Sequence, residues 1–253
     1  MPANVSNFKD HFSGHAAVYA AARPHYPADL FDWLSRACAA RNLAWDAGCG
    51  NGQASHALAR HFEQVYASDP SAEQIAAAEP APNIRYVVEA AEHCGLGDAS
   101  ADLVCVAQAM HWFDVLRFQT EARRVLKPGG VFAAWTYAQS RVSPTIDVVF
   151  DRFHDELLEG YWPAGREHVI DSYRNLPFAF GRIDNVPAFA MHCDWTLIQY
   201  LAYLRSWSAC QRYLRATGND AVAMIDADLS AAWGDPTQVR AVTWPLTLHV
   251  GRV

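Results

Sequence analysis

Between Tyr26 and Tyr137, short apolar runs alternate with longer stretches whose apolar positions recur every three or four residues. "LAWDA" (43–47), "QVYASD" (64–69), "IRYVVE" (84–89), "ADLVCVAQA" (101–109) and "VFAAWTY" (131–137) read as strands. The fourth is apolar almost throughout, the pattern of a strand covered on both faces. "PADLFDWLSRACAAR", "GQASHALARHF", "SAEQIAAAE" and "DVLRFQTEARRVL" carry the helical spacing. Local chemistry marks their ends. Pro27 suits a first helical turn, Ser71 an N-cap and Pro80 a stop, and "KPGG" closes the last helix. Strands alternating with helices of this length predict an α/β fold, a parallel sheet with helices on both faces.

After Tyr137 the rhythm changes. Residues 144–160 and 196–234 read mainly as helix, and 182–196 and 238–253 as extended chain. The last run alternates with period two through Val242, Trp244, Leu246, Leu248 and Val250. Two closing strands with helical insertions between them would finish the sheet. No Gly/Ser/Pro linker divides the chain, so the expectation is a single domain, 1–253. In it, about 26–137 form a ligand-binding core, about 138–235 a largely helical cap with one sheet strand, and 236–253 a closing strand.

Composition narrows the chemistry. Of 253 residues, 51% are hydrophobic and 19% charged, a globular balance rather than a disordered one. The net charge of -7, from 20 Lys+Arg against 27 Asp+Glu, gives no reason to expect a nucleic-acid partner. Six scattered cysteines without a C-x-x-C pair offer neither a zinc framework nor a disulfide scaffold, so no metal is expected. The N-terminal residues do not read as a secretory signal, and no run approaches the roughly 20 apolar residues of a membrane span. The expectation is a cytoplasmic chain with no membrane partner, monomeric or homodimeric.

The chemistry concentrates at Asp46, Gly48, Gly50 and Gly52, directly before a helix start. Glycines there let backbone turn tightly and approach a ligand closely. A P-loop needs Lys-[Ser/Thr] after its last glycine, and none follows. The dinucleotide fingerprint G-x-G-x-x-G fails from Gly48, where Gln53 holds the third place, and from Gly50, where Ser55 does. A tight turn without a ligand stays open at this point.

The Asp46-x-Gly48-x-Gly50-x-Gly52 pattern resembles motif I of the class I S-adenosylmethionine-dependent methyltransferases. The likeness extends through Asp69 at the end of the second strand, Ala91-Glu92 after the third, "ADLVCVAQAMHWFD" and "RVLKPGGVFAAW", covering roughly residues 40–137. "FSGHAAVYAAARPHYP" and "QAMHWFD" are similar to the type 11 subgroup that includes trans-aconitate methyltransferase-like proteins. "YWPAGREHVIDSY" (161–173) loosely resembles part of their insert.

The resemblance implies a doubly wound, seven-stranded, mostly parallel sheet and S-adenosyl-L-methionine as cofactor, with S-adenosyl-L-homocysteine as product. It implies cofactor contacts at Tyr19, Arg23, Asp46, Gly48, Gly50, Asp69, Pro70, Ala91, Glu92 and Gln108. Residues 1–25, with Phe12 packing, would be a lid over that cofactor. The acceptor would be a small molecule, first a carboxylate of an organic acid. A hydroxyl or amine, with His111 as base, is the alternative, and a nucleoside-binding protein without transfer is another. Trp112, Trp135, Tyr161, Trp162 and Arg212 are candidate acceptor contacts, and His111 a candidate base or positioning group. Tyr137, Arg141, Arg166, Trp207 and Tyr213 share the aromatic-plus-arginine character that suits a small anion. The competing reading is that these aromatics are the cap's own core.

Overall fold

The structure is a computed structural model and describes residues 24–253. The alternating region supplies β1 (Leu43–Ala47), β2 (Gln64–Asp69), β3 (Ile84–Val88), β4 (Ala101–Ala107) and β5 (Leu126–Thr136). They pair in parallel as β3-β2-β1-β4-β5, so the winding reverses between β1 and β4. Ligands of open parallel sheets sit beyond the carboxyl ends at such a reversal. The central β1 and β4 are apolar except for Asp46 and Asp102. Asp102 tolerates burial because its Oδ2 accepts from the N–H groups of Asn42 and Leu43, and its Oδ1 meets the Lys127 ammonium at 2.7 Å.

The connecting helices are α1 (Ala28–Ala37), α2 (Gln53–Leu58), α3 (Ala72–Ala76) and α4 (Val115–Val125). Ser71 caps α3 by accepting from the Gln74 N–H, and Asp114 caps α4 by accepting from the Arg117 N–H. Both α2 and α3 are shorter than their spacing predicts. The "KPGG" stretch lies inside β5 rather than in a separate turn. Gly129, at φ 77°, helps the strand absorb extra residues there, since pairing jumps from Ala101–Leu126 to Leu103–Val131.

The second half contributes α5 (Pro144–Arg152), which runs into a π-helical stretch Phe153–Leu157, then α6 (Arg166–Ile170) and β6 (Gly181–Arg182). β7 (Phe189–Trp195), α7 (Leu197–Arg205), α8 (Ser208–Thr217), α9 (Asp226–Trp233) and β8 (Arg240–Arg252) follow. β8 serves two partners along its length. Residues 247–252 run antiparallel to β5, with β6 on the far side, while residues 240–246 pair with β7, and Thr243 also bridges to Arg141. The main sheet is therefore seven strands in the order β3-β2-β1-β4-β5-β8-β6, with β7 off that path. The extended run predicted over 182–196 is thus two strands with different surroundings. Asn185 at φ 57° and Pro187, which has no N–H to donate, separate them.

One face of the sheet packs on α1, α2 and the cap, and the other on α4 and the 169–180 segment. Among the described residues, no helix is long and apolar enough to cross a membrane.

Candidate functional site

The loop after β1 turns left-handed three times, at Gly48 (φ 69°), Gly50 (φ 55°) and Gly52 (φ 89°). The three glycines are needed for different reasons. A Cβ on Gly48 would lie 2.8 Å from both Ala109 Cβ and Phe113 Cζ, and one on Gly52 would lie 2.2 Å from the Tyr86 hydroxyl. At Gly50 the nearest atom is Gln74 Oε1 at 3.7 Å, so this glycine is the one with room beside it. The N–H groups of Gly48 and Cys49 both donate to Ser68 O, bending the loop toward β2. Asp69 completes the cradle, its Oδ2 accepting from Gly50 N at 2.9 Å and its Oδ1 from Ser71 N at 2.8 Å. One carboxylate thereby holds the glycine loop and the α3 cap in register.

Asp46 is fully buried, with Ser55 Oγ donating to Oδ2 at 2.6 Å and Cys105 Sγ near Oδ1 at 3.7 Å. Burial pushes its carboxyl up to about 6, Asp69 adding to the rise and the Ser55 and Cys105 contacts opposing it. Pro70 follows Asp69 half-buried, and Ala91 is buried. Glu92 Oε1 accepts from Asp114 N at 2.7 Å, tying the turn after β3 to the start of α4. Tyr19 and Arg23 lie outside the described residues, as does Phe12.

At the end of β4, Gln108 adopts φ 56°. Its Oε1 accepts from Thr136 Oγ1 and Tyr137 N, and its Nε2 donates to Tyr137 O. The Gln108 side-chain amide thereby ties the end of β4 to the end of β5. A short 3₁₀ turn, Met110–Trp112, then presents His111, whose Nδ1 lies 2.8 Å from the Tyr173 hydroxyl. Burial first, then the positive neighbours Arg166 and His168, press His111 down to about 3. The ring is neutral at pH 7. Trp112 packs at 4.7 Å from it and is 37% exposed.

The acceptor candidates divide. Trp135 is fully buried in edge-on contact with Tyr26 and Phe31, and belongs to the core beneath α1, not to a surface that meets substrate. Trp162 packs on His154 and Trp207 and carries Arg166 over its face at 4.6 Å. Tyr161 stands edge-on to Tyr213, and Arg212 is half-buried on α8. Tyr161, Trp162, Trp207 and Tyr213 join the cap's own aromatic core. A cavity of about 200 Å³ lies where β5 and β8 leave the sheet, lined by Tyr137, Ala138, Gln139, Arg141, Ser172, Pro245 and Thr247. Tyr137 links this cavity to Gln108, and Ser172 adjoins the tyrosine that meets His111. Gln139 and Thr247 went unmarked in the sequence, and Ser172 and Tyr173 were marked only as the end of the 161–173 stretch, with no role assigned.

The family model for a methyltransferase domain matches residues 45–134, from β1 to the end of β5. Over nearly the whole chain, a provisionally named methyltransferase of Dictyostelium discoideum is 30% identical across 232 residues, 90% of this chain and 88% of that one. The chain belongs to the class I S-adenosylmethionine-dependent methyltransferases. The structure of a provisionally named type II methyltransferase from Anaeromyxobacter dehalogenans shares 47% identity and a TM-score of 0.86, covering 91% of this chain and 97% of that one. The fold extends to the cyclase SpnF at 17% identity and TM-score 0.51, so fold alone does not specify methyl transfer. This methyltransferase's family uses S-adenosylmethionine, and the loop suits it. No Lys or Arg lies between Asp46 and Gln53 to meet a phosphate, two acidic side chains flank the glycines, and Gly50 is the least crowded of the three glycines.

Proposed function

We propose that this methyltransferase esterifies a carboxylate of a small organic acid. The observation that carries the reading is the state of His111, the base candidate at the end of β4. It is largely buried, with Nδ1 taken up by the Tyr173 hydroxyl at 2.8 Å, and burial with the positive Arg166 and His168 lowers its pKa, which argues against a base for a hydroxyl or amine. A carboxylate is already ionised and asks for no base. It needs alignment and exclusion of water.

Arg141 supports an acidic acceptor. Its Nη1 donates to Asp151 at 2.7 Å and to Ser140 O, and its Nη2 to Gln139 Oε1 at 2.7 Å. A guanidinium held in this way keeps the planar fork that grips a carboxylate through two parallel N–H bonds.

S-Adenosylmethionine supplies a methyl group activated on a sulfonium. In this reading the backbone at Gly48 and Gly50 would pass the methionine portion, and Asp69 would reach the ribose hydroxyls. A carboxylate offers about four acceptor positions, enough to hold the loop and a sugar together. Pro70, Ala91 and Glu92 would border the adenine, and Tyr19 and Arg23 would cover the methionine end.

A library of organic acids, alcohols and amines, assayed by S-adenosylhomocysteine release with products identified by mass, tests the proposal. Methyl esters are expected, and ethers or methylamines as the efficient products would overturn it. Cofactor binding without turnover on any acceptor would favour a non-transferring nucleoside-binding protein.

A further inference from the structure

We infer that Gln139 is a second acceptor-binding residue, its side-chain amide donating to the carboxylate that Arg141 grips. This deepens the carboxylate reading and rests on it for the charge of the group that enters the cavity.

The cavity exists because the ladder between β5 and β8 opens. Thr136 pairs with Thr247 and Arg141 bridges to Thr243, so residues 137–140 bow away from the shorter segment 244–246. Pro245 has no N–H with which to bond back across the gap. Ser172 borders the opening from a left-handed turn, at φ 55°, with Tyr173 following at 59°.

The carbonyls around this opening are already engaged. Tyr137 O accepts from Gln108 Nε2 at 2.9 Å, Ala138 O from Arg166 Nη2 at 3.3 Å, and Ser172 O from His249 Nε2 at 2.7 Å. Among the described residues, none that lines the cavity carries a carboxylate. The polar side chains that do line it are the Arg141 guanidinium, the Gln139 amide and the hydroxyls of Ser172 and Thr247. All of them can donate, which suits an anion.

The orientation of the Gln139 amide follows from its partner. A guanidinium has no acceptor, so the atom 2.7 Å from Arg141 Nη2 is the amide oxygen. Nε2 is thereby turned away from the arginine, and it carries two hydrogens. Among the described residues its hydrogen-bond neighbour is His154 Nδ1, at 3.4 Å, a nitrogen that also lies 2.5 Å from Asp155 Oδ1. Whichever way the imidazole is protonated, it takes at most one of the two amide hydrogens. At least one remains for a ligand. Asp151 fixes Arg141, Arg141 fixes Gln139, and the two cavity side chains together offer N–H groups to one carboxylate.

Proton–nitrogen correlation spectra of the full-length enzyme bound to S-adenosylhomocysteine test the contact itself. The Gln139 side-chain amide pair is assigned by its loss in Gln139→Glu. Acetate, succinate and benzoate are then titrated in parallel with acetamide, succinamide and benzamide. The pair should move saturably with at least one acid and not with the matched amides. No saturable movement with any of these probes overturns the proposal. Equal movement with acids and amides would sink the carboxylate reading while leaving Gln139 in contact with the acceptor. In kinetics with an acid acceptor, Gln139→Glu still accepts from Arg141 but has no hydrogen to give. Its KM should rise about tenfold to a hundredfold, with a smaller change in kcat. Gln139→Leu loses both contacts. A raised KM in the leucine variant alone would mean that Gln139 only anchors Arg141, which overturns its donor role.

Discussion

Ser55 donates to Asp46 across the first turn of α2, at 2.6 Å, in an interior where neither side chain meets solvent. The bond does not fully offset the burial of the carboxylate, whose pKa is raised from 3.8 to about 6. In the folded chain Asp46 therefore binds a proton at a pH where the unfolded chain has released it. Stability contributed by this group falls as pH rises from about 4 through about 6. The full difference, about two pKa units, corresponds to roughly 3 kcal/mol. Denaturant unfolding of the wild type and Asp46→Asn at pH 5 and pH 7.5 checks the sign. Relative to the variant, the wild type should lose ground at the higher pH. A gain there would show that the ionised carboxylate is not under strain.

Gly50 and Gly52 look equivalent in the sequence and should respond differently to alanine. Gly52→Ala places a Cβ against the Tyr86 hydroxyl as well as imposing a left-handed backbone. The cost should be about 1–3 kcal/mol of stability. Tyr86→Phe in the same chain should recover only part of the steric share, because the ring Cζ and Cε1 stay 2.9 and 3.0 Å from the added Cβ. Gly50→Ala makes only an ordinary contact with Gln74 and carries the left-handed strain without a clash, so it should cost less stability than Gly52→Ala. Its damage should appear as weakened S-adenosylmethionine binding in calorimetry. Equal melting temperatures and equal affinities for the two variants would contradict this division of labour.

The pattern of glycines was legible because a left-handed turn leaves a residue type behind. The sheet order was legible for a related reason, since strands covered on both faces leave unbroken apolar runs. The Ser172–Tyr173 turn left no such mark. A local bond from Tyr173 N to His168 O and a tertiary one from His249 to Ser172 O, not glycine, hold its backbone left-handed. Gln108 was read as a ligand contact because it ends β4, but its partners Thr136 and Tyr137 come from another strand, out of reach of any local reading. The division of β8 between β5 and β7 was equally hidden, because one alternating pattern serves both partners.

Trp135 shows how the same ambiguity misleads about aromatics. It ends a strand that points toward the site, yet its ring fills the core against Tyr26 and Phe31. Trp135→Ala should cost about 3–5 kcal/mol of stability. The acceptor KM of the fraction that remains folded should be little changed. A selective rise in that KM without a change in melting temperature would return Trp135 to the acceptor site.

Arg141 offers the sharpest test of acceptor charge. Asp151 and Gln139 fix its guanidinium through contacts that substrate need not supply, and Arg141 lines the cavity beside Tyr137. Removing it by Arg141→Ala should raise KM for an acid acceptor by about tenfold to a hundredfold with a smaller change in kcat, the loss of a charged hydrogen-bonding pair. Arg141→Lys keeps the charge but not the planar fork, so it should recover only part of that loss. Because Asp151 loses its ion-pair partner in the alanine variant, Asp151→Asn in the same background controls for the stranded carboxylate. With both changes in place, KM should remain high if the arginine contacts the acceptor. A return to the wild-type value would mean that Arg141 serves only to neutralise Asp151.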